Sequence, residues 1–237
     1  MGSDRALLLI ADIGGYTAYM RTHRMSLAHA EVNTARMLEA VIDAAGDFEL
    51  IEIEGDAAFL SKRADSLDAA ATAAVLTTAV GGMHRAFHRE RQYVVANLCP
   101  CDACEQANNL TLKFVAHVGE VATQTIRDRR KLVGIDVILV HRLLKNPVQA
   151  PEYLLFSDAL YRNGGDAFEP VQQIEQDMEG IGPVRTYVAN IDAVAGSLPP
   201  LPKPSLLGRL TTTVSVAGRG MPYMLGLRRT RRVASQP

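Results

Sequence analysis

The eight residues from Ala6 to Ile13 read Ala-Leu-Leu-Leu-Ile-Ala-Asp-Ile and stop at Gly14-Gly15. Every one except Asp12 is apolar. A run this short, rich in branched side chains and closed by glycines, is a strand buried on both faces. Asp12 therefore stands where an apolar strand ends, and whatever the rest of the chain builds must cover this strand while leaving that carboxylate accounted for.

The segments that follow supply the cover. Ser26 to Ala45 carries Val32, Ala35, Leu38, Val41, Ile42 and Ala45 at helical spacing, with Ser26 as N-cap. Phe48 to Ile53 alternates apolar with acidic residues, Gly55-Asp56 is a two-residue hairpin signal in reversed order, and Ala57 to Leu60 is the return strand. Asp65 to Arg91 is alanine-rich and free of proline, which predicts a long helix. Leu110 to Val121 reads as a strand, Arg127 to Lys131 as an exposed turn or hairpin tip, and Val133 to Lys145 as a helix ended by Asn146-Pro147. Tyr153 to Phe156, Phe168 to Ile174 and Val184 to Ala189 are short strands. This order predicts an α+β sandwich with helices covering one mostly antiparallel sheet.

Composition narrows the class. A chain of 237 residues that is 48% hydrophobic and 22% charged is neither disordered nor fibrous. Three cysteines make no secreted disulfide framework. No early apolar run is long enough for a signal sequence or a membrane span, so the expected location is the cytoplasm. The net charge of -1 offers no case for a specific nucleic-acid partner. That charge is unevenly spread. After Asp192 there is no acidic residue, while Lys203, Arg209, Arg219, Arg228, Arg229, Arg231 and Arg232 make the tail +7 and leave the body at -8. The stretch Ser197 to Pro204 holds four prolines and cannot be helix interior or central strand. We place one domain over residues 1–192 and a proline-rich basic tail over 193–237. The tail is either a solvated extension or a basic arm for an anionic membrane or an acidic partner, helped by Leu206, Leu207, Met221, Tyr223, Met224 and Leu225.

Asp12 ends the first strand, and Asp56 sits in the hairpin between the second and third. In a βαββ arrangement these strands become neighbours and bring the carboxylates together. Close carboxylates repel, and a divalent cation is the usual remedy. Two such oxygens plus phosphates suit Mg²⁺, and the Gly14-Gly15-Tyr16-Thr17 turn can offer N–H groups to a phosphate. The alternative is that Asp12 caps the next helix and Asp56 is a turn residue.

Five motifs in order carry a resemblance. Asp12-Ile13-Gly14-Gly15-Tyr16-Thr17 resembles the first signature of class III adenylyl and guanylyl cyclase catalytic domains. Gly55-Asp56 resembles the second metal carboxylate, His117-Val-Gly-Glu120 the family's His-x-Gly-Glu strand, Gly134 to Arg142 its Gly-x-x-Val-Asn-x-x-x-Arg helix, and Gly180 to Tyr187 its closing hairpin. The match spans roughly Ala6 to Ala189 and implies a ferredoxin-like βαββαβ sandwich with extra C-terminal strands. The Cys-x-Cys-x-x-Cys stretch and Val140-His-Arg-Leu-Leu-Lys-Asn146 are also similar to a bacterial branch of cyclase-like proteins of unassigned function.

The resemblance implies roles. It places a metal set for Mg²⁺ or Mn²⁺ at Asp12, Ile13 and Asp56, a phosphate seat at Gly14, Gly15, Tyr16 and Thr17, and a transition-state arginine at Arg142. The purine-reading pair falls on Glu52 and Lys131, which could read guanine or simply pair with each other. The family's ribose-orienting asparagine falls on Ile138, and a phosphate-side lysine falls on Glu179. Losing one transition-state donor typically slows an enzyme by about 10²–10³-fold, so two such losses imply weak or absent cyclase activity. Sites in this family are shared across a dimer, which implies a homodimer that binds a purine nucleotide in cyclic-nucleotide signalling.

A cysteine-rich insertion spans about residues 97–109. Cys99, Cys101 and Cys104 lie within six residues, and His84 and His88 share one face of the preceding helix. Three thiolates and one imidazole form a structural Zn²⁺ set, with His84 or His88 as fourth ligand. Reduced, unligated thiols or a Cys-x-x-Cys redox pair are the alternatives. Three functions follow: a divergent cyclase-like protein that binds metal and nucleotide, an active adenylyl or guanylyl cyclase, or a non-enzymatic interaction module stabilised by zinc.

Overall fold

The computed structural model describes residues 4–21, 27–96, 104, 106–196, 198, 205–211, 213, 214 and 218. In chain order its elements are β1 (Asp4–Gly14), α1 (Tyr16–Arg21), α2 (Leu27–Asp43), β2 (Glu49–Glu54), β3 (Ala57–Arg63), α3 (Ala69–Val95), β4 (Thr111–Ile126), β5 (Arg129–Val133), α4 (Ile135–Arg142), β6 (Tyr153–Ser157), α5 (Asp158–Tyr161), β7 (Gln172–Met178), β8 (Gly182–Asn190) and α6 (Ile191–Ala195). The apolar opening run is β1, and Ala6 to Ala11 are at most 3% exposed. β1 pairs antiparallel with β3 on one side and β4 on the other, which sets Asp12 opposite both Ala57 and Lys113.

The strand order is β2-β3-β1-β4-β6-β8-β7, with β5 paired to the distal half of β4. Its first four strands, with the helices between them, are the ferredoxin-like βαββαβ arrangement, and β6, β8 and β7 are the C-terminal extension. Among the described residues, only β4 and β6 pair in parallel. A parallel pair needs a crossover, and α4 lies in it.

The period of two along β1 sends Leu8 and Ile10 to one face and Leu7 and Leu9 to the other. On the first face, Leu8, Ile10, Phe59, Val115, Leu155 and Val188 cluster with Val137, Val140 and Leu143 at α4. Leu7 and Leu9 on the second face are fully buried, and so is the stripe Leu76, Val80, Met83 and Phe87 of α3. Each large side chain so buried contributes roughly 1.5–3 kcal/mol.

The chain divides into two compact units. The sheet unit comprises the described residues of Met1–Gly14, Leu38–His88 and Thr111–Pro200. The second unit comprises those of Gly15–Met37, Arg89–Leu110 and Leu201–Pro237. Within the second unit Arg36 pairs with Glu90 at 3.0 Å, the fully buried Asn33 donates to the Tyr19 hydroxyl at 3.2 Å, and Arg209 Nε donates to the Ala96 carbonyl at 2.7 Å. Residues 206–211 are helical, with Leu206, Leu207 and Leu210 exposed. The expected N-cap Ser26 and the tail residues Met221, Tyr223, Met224 and Leu225 lie outside the described residues. Among the described residues no helix is long and apolar enough to cross a membrane.

Two local expectations need correction. The strand expected from Phe168 starts at Gln172, because Gly165–Phe168 form a 3-10 turn and Glu169 takes φ +47°. The alternation expected along β2 is broken by a bulge between Leu50 and Glu52. A bulge adds a residue to one strand and shifts the side-chain phase. Ile51 thus packs on the core while Leu50 and Ile53 are exposed.

Candidate functional site

The end of β1 and the β2–β3 hairpin meet as the two-strand argument requires. The Ile13 N–H donates to the Asp56 carbonyl at 3.2 Å, and Ile13 itself is a buried core residue. Gly55 takes φ +65° in the turn that carries Asp56. Burial raises the Asp56 carboxyl above its ordinary value, and the adjacent charge of Asp12 raises it further. Lys113 answers that charge: its Nζ lies 2.8 Å from Asp12 Oδ2, with both side chains mostly buried. Burial alone would lower the lysine ammonium, but its hydrogen bond to Asp12 and that carboxylate's charge, with smaller contributions from Tyr153 and Asp56, together outweigh that and hold it above its ordinary value. Two mutually repelling carboxylates are a donor set that Mg²⁺ or Mn²⁺ fits. Lys113 is the cation such an ion has to displace.

The glycines after Asp12 have structural work of their own. A Cβ on Gly14 would lie 2.2 Å from Thr111 Oγ1, so β1 and β4 can close only around glycine there. Gly15 takes φ +82°, and its carbonyl accepts from the Tyr19 N–H at 2.9 Å as α1 opens at Tyr16 and Thr17. Gly14 belongs to the sheet unit, and Gly15, Tyr16 and Thr17 to the second unit.

Glu52 and Lys131 are brought together. Lys131 Nζ lies 3.2 Å from both oxygens of Glu52, with the lysine and glutamate side chains 45% and 37% exposed. Arg142 ends α4 and lines a cleft of about 650 Å³ with Ile138, His141, Lys145 and Glu179. It makes no ion pair among the described residues. Ile138 is 48% exposed in that cleft and offers no polar atom. His141 is accounted for by packing: its ring meets the edge of Phe59, and Nδ1 lies 3.3 Å from Glu54.

The His-x-Gly-Glu stretch is explained by a partner that sequence reasoning passed over. His117 Nε2 donates to Asp136 Oδ1 at 2.9 Å, while Nδ1 accepts from the Ser157 hydroxyl at 2.6 Å. Ser157 Oγ in turn accepts from the Leu160 N–H, so the whole network is satisfied by a neutral imidazole with its proton on Nε2. Asp136 Oδ2 accepts from the Glu120 N–H at 2.7 Å. The bond from His117 lowers the Asp136 carboxyl below its ordinary value of 3.8, and the bond from Glu120 adds to this against burial. A carboxyl depressed in the folded state adds stability above its unfolded pKa and loses it as the pH falls through the folded value. Asp136→Asn is therefore expected to destabilise the protein by about 1–3 kcal/mol at pH 7. The gap to wild type should narrow below pH 3.8, which urea unfolding at pH 7 and pH 3 measures directly; an unchanged gap would contradict the assignment.

A second cluster joins α3 to the start of β6. His84 and His88, one helical turn apart, both turn Nε2 to the carboxylate of Glu152 at 3.0 Å. Burial alone would raise the Glu152 carboxyl, but the bonds from His84, His88 and the Leu112 N–H override it and hold the group well below the carboxylate range. Glu152 carried no sequence signal, standing alone after Pro151. Of the cysteines, Cys104 is buried in the second unit, where Asn33 Nδ2 lies 3.8 Å from its sulfur. Cys99 and Cys101 lie outside the described residues.

Comparison with known proteins places this arrangement. The family model described as "Protein of unknown function (DUF2652)" matches residues 34–153. That span holds Asp56, Lys113, Arg142 and all of His84, His88 and Glu152. The uncharacterized protein Rv2561/Rv2562 of Mycobacterium tuberculosis (strain ATCC 25618 / H37Rv) is 36% identical over 198 residues, covering 82% of this chain and 90% of that one. Among solved structures, the guanylyl cyclase Cya2 superposes with a TM-score of 0.57 at 17% identity, over 79% of this chain and 93% of that one. The adenylyl cyclase CyaB from P. aeruginosa superposes with a TM-score of 0.56 at 15% identity, over 80% and 95%. At such identities the likeness is one of fold: the mixed α+β architecture is that of cyclase catalytic domains.

Proposed function

The chain belongs to the family of proteins of unknown function DUF2652, and from that premise and its cyclase-type fold we propose that it is a divergent class III nucleotidyl cyclase-like protein that binds a divalent metal and a purine nucleoside triphosphate, with weak or absent cyclase activity. The observation that carries this reading is the Asp12–Asp56 pair at the sheet end, with Lys113 as its built-in counter-charge. A fold needs no paired carboxylates there, and burial, then the charge of Asp12, raises Asp56. Asp12 and Asp56 would hold Mg²⁺ or Mn²⁺, which when bound supplies charge neutralisation for a triphosphate. Lys113, released from Asp12, becomes an ammonium beside those phosphates. The sheet unit alone carries this argument, so it does not depend on the phosphate seat inferred at Gly14 to Thr17.

The rest of the arrangement argues for binding over turnover. Arg142 faces its cleft with Ile138 and Glu179. An isoleucine cannot orient a ribose hydroxyl, and a carboxylate beside Arg142 opposes a developing phosphoryl charge instead of stabilising it. Glu52 and Lys131 hold each other in the ground state, so a purine edge would have to exchange with that pair. In a homodimer of the cyclase kind, the carboxylates of one copy and the Glu52–Lys131 pair of the other would share one nucleotide. The exposed Leu50 and Ile53 on the edge strand beside Glu52 suit such burial.

The test is calorimetric titration of the full chain with GTP and ATP in Mn²⁺ or Mg²⁺, with the same samples assayed for cyclic product. Metal-dependent binding without product is the expected result. Binding with product would make the protein an active cyclase despite Ile138 and Glu179. Failure to bind either nucleotide would overturn the proposal and favour an interaction module.

A further inference from the structure

The nucleotide reading uses none of His84, His88 and Glu152, yet these three form a close polar cluster of their own. His84 and His88 are 1% and 4% exposed. Histidines so buried are normally held by complementary donors and acceptors. Here the two Nε2 atoms lie 3.0 Å from each other, and both lie 3.0–3.1 Å from the same carboxylate. While Glu152 is a carboxylate, no placement of protons on the two imidazoles satisfies all of these contacts. A carboxylate only accepts, so each imidazole needs a proton on Nε2 to bond to it, and the two N–H groups then point at one another. Removing one proton turns that lone pair toward the carboxylate. A cation between the three atoms resolves the conflict, because each then presents a lone pair to a shared positive charge.

The geometry agrees. Zinc bonds of about 2.0–2.1 Å set neighbouring ligand atoms about 3.3 Å apart in a tetrahedron and about 3.0 Å apart in an octahedron. The cluster shows that spacing already, with one donor atom from each residue all within 4.8 Å of one another. The backbone orients it as a ligand set. The spacing of four residues on α3 puts the two imidazoles on one face, where they meet edge to face with ring centroids 4.4 Å apart. The Leu112 N–H fixes the carboxylate by donating to Glu152 Oε1 at 2.9 Å, an outer hydrogen bond of the kind that ligating carboxylates carry. Among the described residues, His84 Nδ1 has no hydrogen-bond partner. Glu152, at 16% side-chain exposure, is the side by which an ion enters.

We propose that His84, His88 and Glu152 form a transition-metal site, of the two-histidine, one-carboxylate type that takes zinc, which pins α3 to the strand ends at Leu112 and Tyr153. The sequence-based zinc expectation took one of these histidines with three thiolates; this set takes both histidines and a carboxylate. Two imidazoles and one carboxylate are borderline-hard donors, so Zn²⁺ is favoured over the Mg²⁺ suited to Asp12 and Asp56. Three protein ligands also leave a coordination position for water.

The full chain, stripped with a chelator and then titrated with Zn²⁺, should bind one equivalent and melt several degrees higher in its presence; Co²⁺ in place of Zn²⁺ should give visible d–d absorption. Glu152→Gln, which keeps the shape and can still accept from Leu112, and His88→Gln should each weaken Zn²⁺ binding by at least about 100-fold, judged against the 10–100-fold that outer-shell losses produce. Cys104→Ser and Asp56→Asn should leave it intact, which separates this site from a thiolate site and from the nucleotide site. Absence of stoichiometric Zn²⁺ binding by the wild-type chain would overturn the proposal. Full Zn²⁺ binding by a folded Glu152→Gln variant would overturn it equally, as would its loss in Cys104→Ser.

Discussion

Asp12→Ala and Asp56→Asn will each weaken metal-dependent nucleotide binding by at least about 100-fold, yet they will move stability in opposite directions. The loss of affinity follows from ligand count, since a hard divalent cation held by two carboxylates depends on both charges. The stability effects follow from what each carboxylate does in the metal-free fold. Asp12 is the hydrogen-bond partner of Lys113 at 2.8 Å, so its removal leaves a largely buried ammonium unpaired, at a cost of about 1–3 kcal/mol. Asp56 is raised by burial and by Asp12. A carboxyl whose folded pKa is raised stabilises the fold only below its unfolded pKa and loses that contribution as the pH rises through the folded value. At neutral pH its charge opposes folding, and asparagine removes that opposition. Asp56→Asn should thus melt at or above the wild-type temperature, by up to about 2 kcal/mol in stability, while failing to bind nucleotide. Lys113→Met completes the set: with the competing ammonium gone, Mn²⁺ alone should bind about tenfold tighter, the equivalent of one hydrogen bond to a charged group. Calorimetry and thermal melts on the three variants read all of this. Unchanged nucleotide affinity in Asp56→Asn, or weaker Mn²⁺ binding in Lys113→Met, would remove the pair from the site.

The parts of this molecule that could be read from sequence are those where chain position fixes spatial position. β1 declared itself because a strand buried on both faces can be nothing but apolar, and Asp12 was visible as the exception at its end. Asp56 was visible because a two-residue hairpin leaves its side chain few places to go. The partners of these residues were not legible in the same way. Lys113 faces Asp12 only because β4 pairs with β1 in one register, and a shift of one residue would turn it to the other face. Its one signal was a lysine among Leu112, Phe114 and Val115. Glu152 lies 64 residues from His88 in sequence, and nothing local marks it. The histidines, on one helix face, were alternatives for the fourth ligand of a three-thiolate set, and the thiolates beside them in sequence drew attention from the carboxylate that meets them in space. The bulge in β2 had a signal that went unread: the adjacent apolar pair Leu50-Ile51 breaks the alternation of Phe48 to Ile53 where the extra residue sits in the sheet.

Gly119→Ala will be among the most destabilising single substitutions in the sheet, and the reason lies in one side chain. A Cβ at position 119 would sit 2.3 Å from Asp136 Cγ, 2.4 Å from Oδ2 and 2.6 Å from Cβ. A flexible side chain could swing its far end away, but this contact includes the Cβ that α4 itself positions, so either the helix moves or Asp136 leaves. If Asp136 leaves, His117 Nε2 and the Glu120 N–H lose their acceptor, and His117 is only 2% exposed. Overpacking costs about 1–3 kcal/mol, and an orphaned buried donor adds about 1–3 kcal/mol. A total of roughly 3 kcal/mol lowers the melting temperature by about 6–12 °C for a chain of this size. The same argument predicts non-additivity. In an Asp136→Gly background the obstructing atoms are gone, so adding Gly119→Ala should cost at least about 1 kcal/mol less than it does in wild type. Equal costs in the two backgrounds would show that the glycine serves strand geometry alone. The expected difference would make the glycine of His-x-Gly-Glu the space into which α4 delivers the carboxylate that orients His117.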